Sequence, residues 1–208
     1  RAAEARVAET LIVLIGSLRG GEQTWRSLIR HVIVPSHADL ALMIGALALR
    51  HPARLGQRRN MLHARAKYLW TVPERTNDEW ASALDQIARD LGARNSTAWR
   101  ADLGSFRVRK EMWMSPLFLG PSHWSATINL VMRWELKRRL MQHDVLQQYS
   151  RFMIARADHY YTCRLDLSHL AISNIWVPEG EDYGGVCDRA IVCGRDDVLK
   201  CLSVVDGY

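Results

Sequence analysis

The sequence predicts an α/β domain, a mainly parallel sheet held between two layers of helices, and three observations carry that expectation. The run Thr10–Ile15 is apolar and β-branched without polar alternation, and it stops at Gly16. A strand apolar on both faces suits the centre of a parallel sheet covered by helices on each side. A glycine-rich turn, Gly16-Ser17-Leu18-Arg19-Gly20-Gly21, leads into a helical pattern and then a second apolar run. Strand, helix, strand in that order implies parallel pairing through a crossover. Far downstream, Arg151–Ala155 repeats the apolar strand character and opens directly into Arg156-Ala157-Asp158.

The elements follow in order. Residues 22–31 place Trp25, Leu28 and Ile29 on one helical face, and Pro35 ends that helix. Residues 38–44 read as the second strand, closed by Gly45. Residues 55–67 read as a basic helix and 68–72 as a strand stopped by Pro73. An amphipathic helix is expected over 78–91, with Asn77 as its N-cap and Gly92 as its stop. Periodicity fades over 93–119, which reads as irregular structure beside the sheet or lining a site. Residues 122–148 form the longest helical stretch, with Val131, Leu136 and Leu140 at helical spacing and a break near His143. A strand over 174–177 ends at Pro178, and another covers 190–193. A last helix starts at Asp196 or Asp197, whose carboxylates favour a helix N-terminus.

Composition narrows the function classes. A chain of 208 residues with 48% apolar and 24% charged residues is an ordinary globular domain, which excludes disordered and collagen-like chains. The net charge of +6 and pI of 9.4 favour an anionic partner: nucleic acid, a membrane surface or a phosphorylated small molecule. The basic residues are mostly scattered arginines with no block. That argues against a nucleic-acid partner and for planar, bidentate recognition of phosphate. The longest apolar run, residues 40–49, is too short to span a bilayer. Cys163, Cys187, Cys193 and Cys201 lack the Cys-x-x-Cys spacing of a zinc site. Disulfides in an oxidising lumen and free thiols in a cytosol both remain open. The chain opens on Arg1 rather than Met and reads as a fragment, which leaves an upstream signal or anchor open too.

Three constellations can carry chemistry. Ligands of open α/β sheets bind at the carboxyl ends of strands, where Arg156 and Asp158 follow the strand Arg151–Ala155. A carboxylate there can hold a divalent metal that bridges a diphosphate, and a guanidinium can neutralise the same charge directly. Asp158 is therefore the metal-ligand candidate and Arg156 the phosphate or ribose contact, against the plainer reading of a structural Arg–Asp pair. Asp166, in Arg164-Leu165-Asp166, is the second choice for the metal. Residues 178–189 put Glu179, Glu181, Asp182 and Asp188 in a loop with three glycines and Tyr183. Crowded carboxylates raise the pKa of at least one of them, which makes a general base, and an aromatic ring can stack on a sugar. The turn at Gly16, Ser17 and Arg19 exposes backbone N–H groups and a helix N-terminus to phosphate, although neither the dinucleotide nor the P-loop fingerprint is present. His159 is a candidate accessory contact, and the eight tryptophans read as core anchors.

In order, Gly16-Ser17-Leu18-Arg19, residues 149–158 and residues 178–189 resemble a set of GT-A-like glycosyltransferases of eukaryotes and large DNA viruses. In that set a Gly-x-x-Arg loop follows the opening strand. A long helix ending in Tyr precedes a strand closing in Arg-x-Asp. A Pro-x-Gly-Glu-Asp-(Trp/Tyr)-Gly-Gly-x-x-Asp-Arg segment comes last. The resemblance implies a Rossmann-like GT-A fold over residues 1–208, with a nucleotide-binding half at about 10–158 and an acceptor-side half at about 159–208. It implies a nucleotide-sugar donor, a glycan or glycoconjugate acceptor and a divalent metal, Mn or Mg, held by Asp158. Gly16, Ser17, Arg19 and Arg156 would bind the donor. Asp182 would serve as base, with Glu181 and Asp188 orienting the substrates. Position 156 departs from a strict Asp-x-Asp, which makes the metal less secure than sugar transfer. An anchored, lumenal enzyme of the secretory pathway and a cytoplasmic one both fit. A nucleotide-binding domain without catalysis is the competing expectation, and a basic nucleic-acid-binding module is a more distant one.

Overall fold

The computed structural model describes residues 8–45, 60–98, 125–180, 187 and 189–203. A five-stranded sheet forms the middle layer, in the order β3-β2-β1-β4-β5. Its strands are β1 (Thr10–Ile15), β2 (Asp39–Gly45), β3 (Ala66–Val72), β4 (Arg151–Ala155) and β5 (Ala190–Gly194). The first four run parallel, with Leu14 of β1 level with Leu42 of β2 and Ala155 of β4. β5 pairs antiparallel to β4, Ala155 lying opposite Ala190.

The unbroken apolar runs are explained by burial on both sides. All six residues of β1 are buried. Leu11, Val13 and Ile15 face one core with Met43, Phe152 and Ile154. Ile12 and Leu14 face the other with Leu42, Ile44 and Met153. Each such side chain contributes roughly 1.5–3 kcal/mol on leaving water. The first core is covered by α3 (Asn77–Asp90), α4 (Ser125–Gln142) and α6 (Arg195–Leu202). The second is covered by α1 (Gly21–Leu28), which runs on as a π-turn over Ile29–Ile33, and by the short α2 (Met61–Arg65). The chain is thus α/β, with a mostly parallel sheet between helices.

Several elements differ from the sequence reading for identifiable reasons. The N-cap of α3 is Thr76 rather than Asn77: Glu79 accepts from the Thr76 N–H at 2.6 Å while its own N–H donates to Thr76 Oγ1. A Thr-x-x-Glu spacing closes that reciprocal box, and Trp80 three residues after Asn77 could not. α2 is one turn long because β3 starts at Ala66, two residues early, and residues 55–59 lie outside the described set. α4 stops where expected, since Asp144 takes a left-handed φ of 53° before the short α5 (Val145–Gln148). No full strand forms over 174–177. Trp176 alone bridges Val192 of the edge strand β5, with both N–H···O distances at 2.8 Å. Cys163, Cys187, Cys193 and Cys201 are free thiols.

Between β4 and β5 the chain crosses the second core with little regular structure, so its backbone groups need other partners. Tyr161 N–H donates to Ser27 Oγ at 3.0 Å, Leu165 N–H to the His31 carbonyl at 2.7 Å and Leu167 N–H to Ser36 Oγ at 2.9 Å. These bonds seat residues 161–167 on α1 and the turn that follows it.

Candidate functional site

The C-terminal edge of the parallel strands gathers the predicted groups. β1 ends at Ile15 and hands over to Gly16, whose N–H donates to the Met43 carbonyl at 3.1 Å and so ties the loop to β2. Beneath the loop the buried Trp25 donates its indole N–H to the Arg19 carbonyl at 3.1 Å. Gly20 has φ +96°, and a Cβ there would lie 3.0 Å from the Asp158 Cα. Only glycine lets the β1 loop pass this close to the end of β4 in that conformation.

Arg156 and Asp158 form a bidentate pair, Nε–Oδ1 at 2.9 Å and Nη2–Oδ2 at 2.5 Å. The Arg156 guanidinium holds the Asp158 carboxyl below the usual carboxylate range, against the opposing effect of burial. With side chains 40% and 22% exposed, the pair is open to solvent screening and worth no more than about 1 kcal/mol of stability.

Two cavities open at this edge, and Asp158 lines both. The smaller, about 140 Å³, is walled by Gly16, Ser17 and Arg19 of the β1 loop, by Asn129 and Met132 of α4, and by Arg156 and Asp158. Its size suits a phosphate-sized group rather than a whole nucleotide. The structure therefore brings together Gly16, Ser17, Arg19, Arg156 and Asp158, which lie up to 142 positions apart in sequence. The larger cavity, about 650 Å³, lies between the 159–170 crossing, β5 and the stretch at 176–180. That volume is in the range of small-molecule sites. Met153, Leu165, Leu170 and Val192 supply apolar wall, and Asp158, His159, Tyr160, Tyr161, Glu179 and Arg189 are its polar groups.

β5 explains how the second motif reaches the first. Because it runs antiparallel to β4, its first residues sit at the same edge as the end of β4. The Arg156 N–H donates to the Arg189 carbonyl at 3.2 Å across that junction. Glu179 and Gly180 line the larger cavity. Glu181, Asp182, Tyr183 and Asp188 lie outside the described residues.

Other candidates resolve differently. Asp166 caps a 3-10 turn at Leu167–His169, accepting from the Ser168 N–H at 3.0 Å and its hydroxyl at 2.7 Å, and lines neither cavity. Tyr161 lines the larger cavity, and burial pushes its phenol up to about 12. Sequence reasoning missed the α4 wall, since nothing local marks Asn129 and Met132 as neighbours of a loop more than a hundred residues earlier. It also took the tryptophans as core anchors, whereas Trp176 is 39% exposed and lines the larger cavity.

As to a metal, the described residues contain no cluster of three or more His, Cys, Asp or Glu side chains. Asp158 offers one carboxylate whose oxygens already accept from Arg156. That donor set fits a Mg²⁺ or Mn²⁺ ion of the kind held by one carboxylate with substrate phosphates and water completing the shell. It does not fit an all-protein cage. No helix among the described residues is long and apolar enough to cross a membrane. Compared with known proteins, the chain matches no family model and no curated sequence.

Proposed function

We propose that the chain is a GT-A-type glycosyltransferase domain that moves a sugar from a nucleoside diphosphate to an acceptor hydroxyl. The observation that carries this reading is the sharing of Asp158 between two cavities at the carboxyl edge of the sheet. A transferase needs two substrates to meet at one reacting centre, and open α/β sheets bind ligands at this edge. The β1 loop, with the backbone of Gly16 and Ser17 and the cation of Arg19, takes the donor diphosphate in the smaller cavity. Arg156 neutralises charge on the leaving diphosphate, and Asp158 fixes the guanidinium plane. The acceptor enters the larger cavity. Asp182 removes its proton as the acceptor oxygen attacks the anomeric carbon, the glycosidic bond to phosphate breaks, and the nucleoside diphosphate leaves with the bonding pair. Glu181 and Asp188 orient the acceptor or the donor sugar. These three acidic roles rest on the motif in residues 178–189. When bound at Asp158, a divalent ion would add Lewis-acid neutralisation of the diphosphate.

Thermal stabilisation by a panel of nucleotide sugars, with and without Mn²⁺, tests donor binding, because ligands of the native state raise its apparent stability. Asp158→Ala and Asp182→Ala are each expected to lower turnover by about 100-fold or more while remaining folded. Unchanged turnover in both folded variants would sink the assignment. A second reading, nucleotide binding without catalysis, is favoured by the engagement of both Asp158 oxygens by Arg156. It predicts donor binding by calorimetry with no turnover at all.

A further inference from the structure

The larger cavity has a character that a site for a free sugar does not need. Its wall includes Met153, Leu165, Leu170 and Val192, with Trp176 and Val177 at its rim. The polar lining groups are Asp158, which also lines the smaller cavity, and His159, Tyr160, Tyr161, Glu179 and Arg189. A sugar ring carries hydroxyls around its whole edge, and each one buried against aliphatic carbon without a partner costs free energy. The apolar character also continues outside. Ile172, Ile175, Trp176 and Val177 are 47%, 51%, 39% and 38% exposed, a run of apolar side chains leading from the rim along the outer side of β5. Exposed apolar residues scattered singly need no explanation, but a contiguous group beside a cavity does.

We propose that the acceptor is an alcohol or phenol with an apolar carbon body, its hydroxyl directed to Asp158 and its body against the aliphatic wall and the Trp176–Val177 rim. This rests on the transferase reading for the word acceptor, but the binding preference stands apart from it. The hydroxyl end needs a polar partner, which Asp158 and His159 offer beside the smaller cavity, and the body gains from leaving water in proportion to the apolar area it buries. Aryl and alkyl bodies share this chemistry.

Three hydroxyl compounds that differ in carbon body test it: 4-nitrophenol, 1-hexanol and methanol, titrated by calorimetry. At least one of the first two is expected to bind tenfold or more tightly than methanol, and which one wins identifies an aryl or an alkyl body. Val177→Asp alters an exposed position and should leave the fold intact. It is expected to erase the tenfold preference, read as the ratio of the larger compounds to methanol in the same variant. Equal binding of all three, or a preference that survives Val177→Asp in the folded protein, overturns the proposal. Apolar binding without transfer from any nucleotide sugar would retain the cavity assignment and remove the transferase reading. Transfer to free sugars as efficient as to apolar alcohols would do the reverse.

Discussion

At the N-terminal edge of the strands Asp39, Lys67, Tyr68 and Tyr149 form a closed network, while at the C-terminal edge Arg156 and Asp158 border two cavities. In the first, the Tyr149 hydroxyl donates to Asp39 Oδ2 at 2.6 Å and accepts from Lys67 Nζ at 2.9 Å, and Lys67 also donates to Asp39 at 2.6 Å. The Tyr149 ring is buried edge-on against Tyr68 and Phe152. The second has one ion pair, a glycine loop and open volume. Both clusters combine charges at strand ends, so charge alone does not mark a site. The difference lies in what the polar groups face. One set is satisfied by itself over a packed core, and the other is presented to space that a ligand can fill.

The sharpest way to break this comparison is Tyr149→Ala. Removing a buried aromatic and the partner of Asp39 and Lys67 is expected to cost about 3–5 kcal/mol in chemical denaturation. Donor-induced stabilisation of the protein that still folds should be unchanged. Its loss at a temperature where the variant is folded would show that the two edges are not independent.

Gly20→Ala probes the other edge with a smaller effect. Its φ of +96° and the 3.0 Å approach to Asp158 predict a loss on the order of 1–3 kcal/mol and at least tenfold weaker donor binding. Gly92→Ala is the control, because it meets the same kind of backbone strain (φ +83°) with nothing within 4 Å of the added Cβ. Equal effects of the two substitutions on donor binding would remove the role given to the Gly20 contact.

The smallest effect is the pH dependence, and it separates the edges by sign. Asp158 is depressed by Arg156, so its contribution is full above the unfolded carboxyl value near ~4 and is lost as pH falls through the folded value. Lys67 is raised chiefly by its hydrogen bond to Asp39, and Tyr149 is raised by burial and by its bond to the same carboxylate. Their contribution is full below about pH 10 and is lost as pH rises through the folded values. Denaturation midpoints of Asp158→Asn and parent should therefore converge in acid, from a gap of about 1 kcal/mol or less. Those of Lys67→Met and parent should converge in strong alkali. Convergence at the wrong end for either variant would reverse the assignment of its partner.

Burial was readable in the strings themselves. After their first residues, Thr10, Asp39 and Arg151, the runs at β1, β2 and β4 lack polar side chains, and a strand covered on both faces has no exposed side on which to place them. The break near His143 in the long helical stretch falls where α4 ends at Gln142 and Asp144 turns left-handed, with Leu146 of the same pattern carried into α5. The isolated strand expected over 174–177 failed for the complementary reason. Apolar character there reflects a cavity rim and an exposed surface rather than a paired strand. The candidate site was legible as two strings, and Arg156-Ala157-Asp158 drew its meaning from the strand before it.

By itself the sequence determined the buried strands, the helix that follows the first of them and the residues placed just past strand ends, because periodicity, glycine placement and capping are local properties of the chain. Tertiary structure alone decided which of those ends meet. The antiparallel course of β5 returns Arg189 and Ala190 to the edge where Asp158 stands, the absence of a Cβ at Gly20 lets the β1 loop close on the same residue, and α4 supplies a wall from far along the chain. The last two of these meetings join segments more than a hundred residues apart, and no short stretch of sequence encodes any of the three.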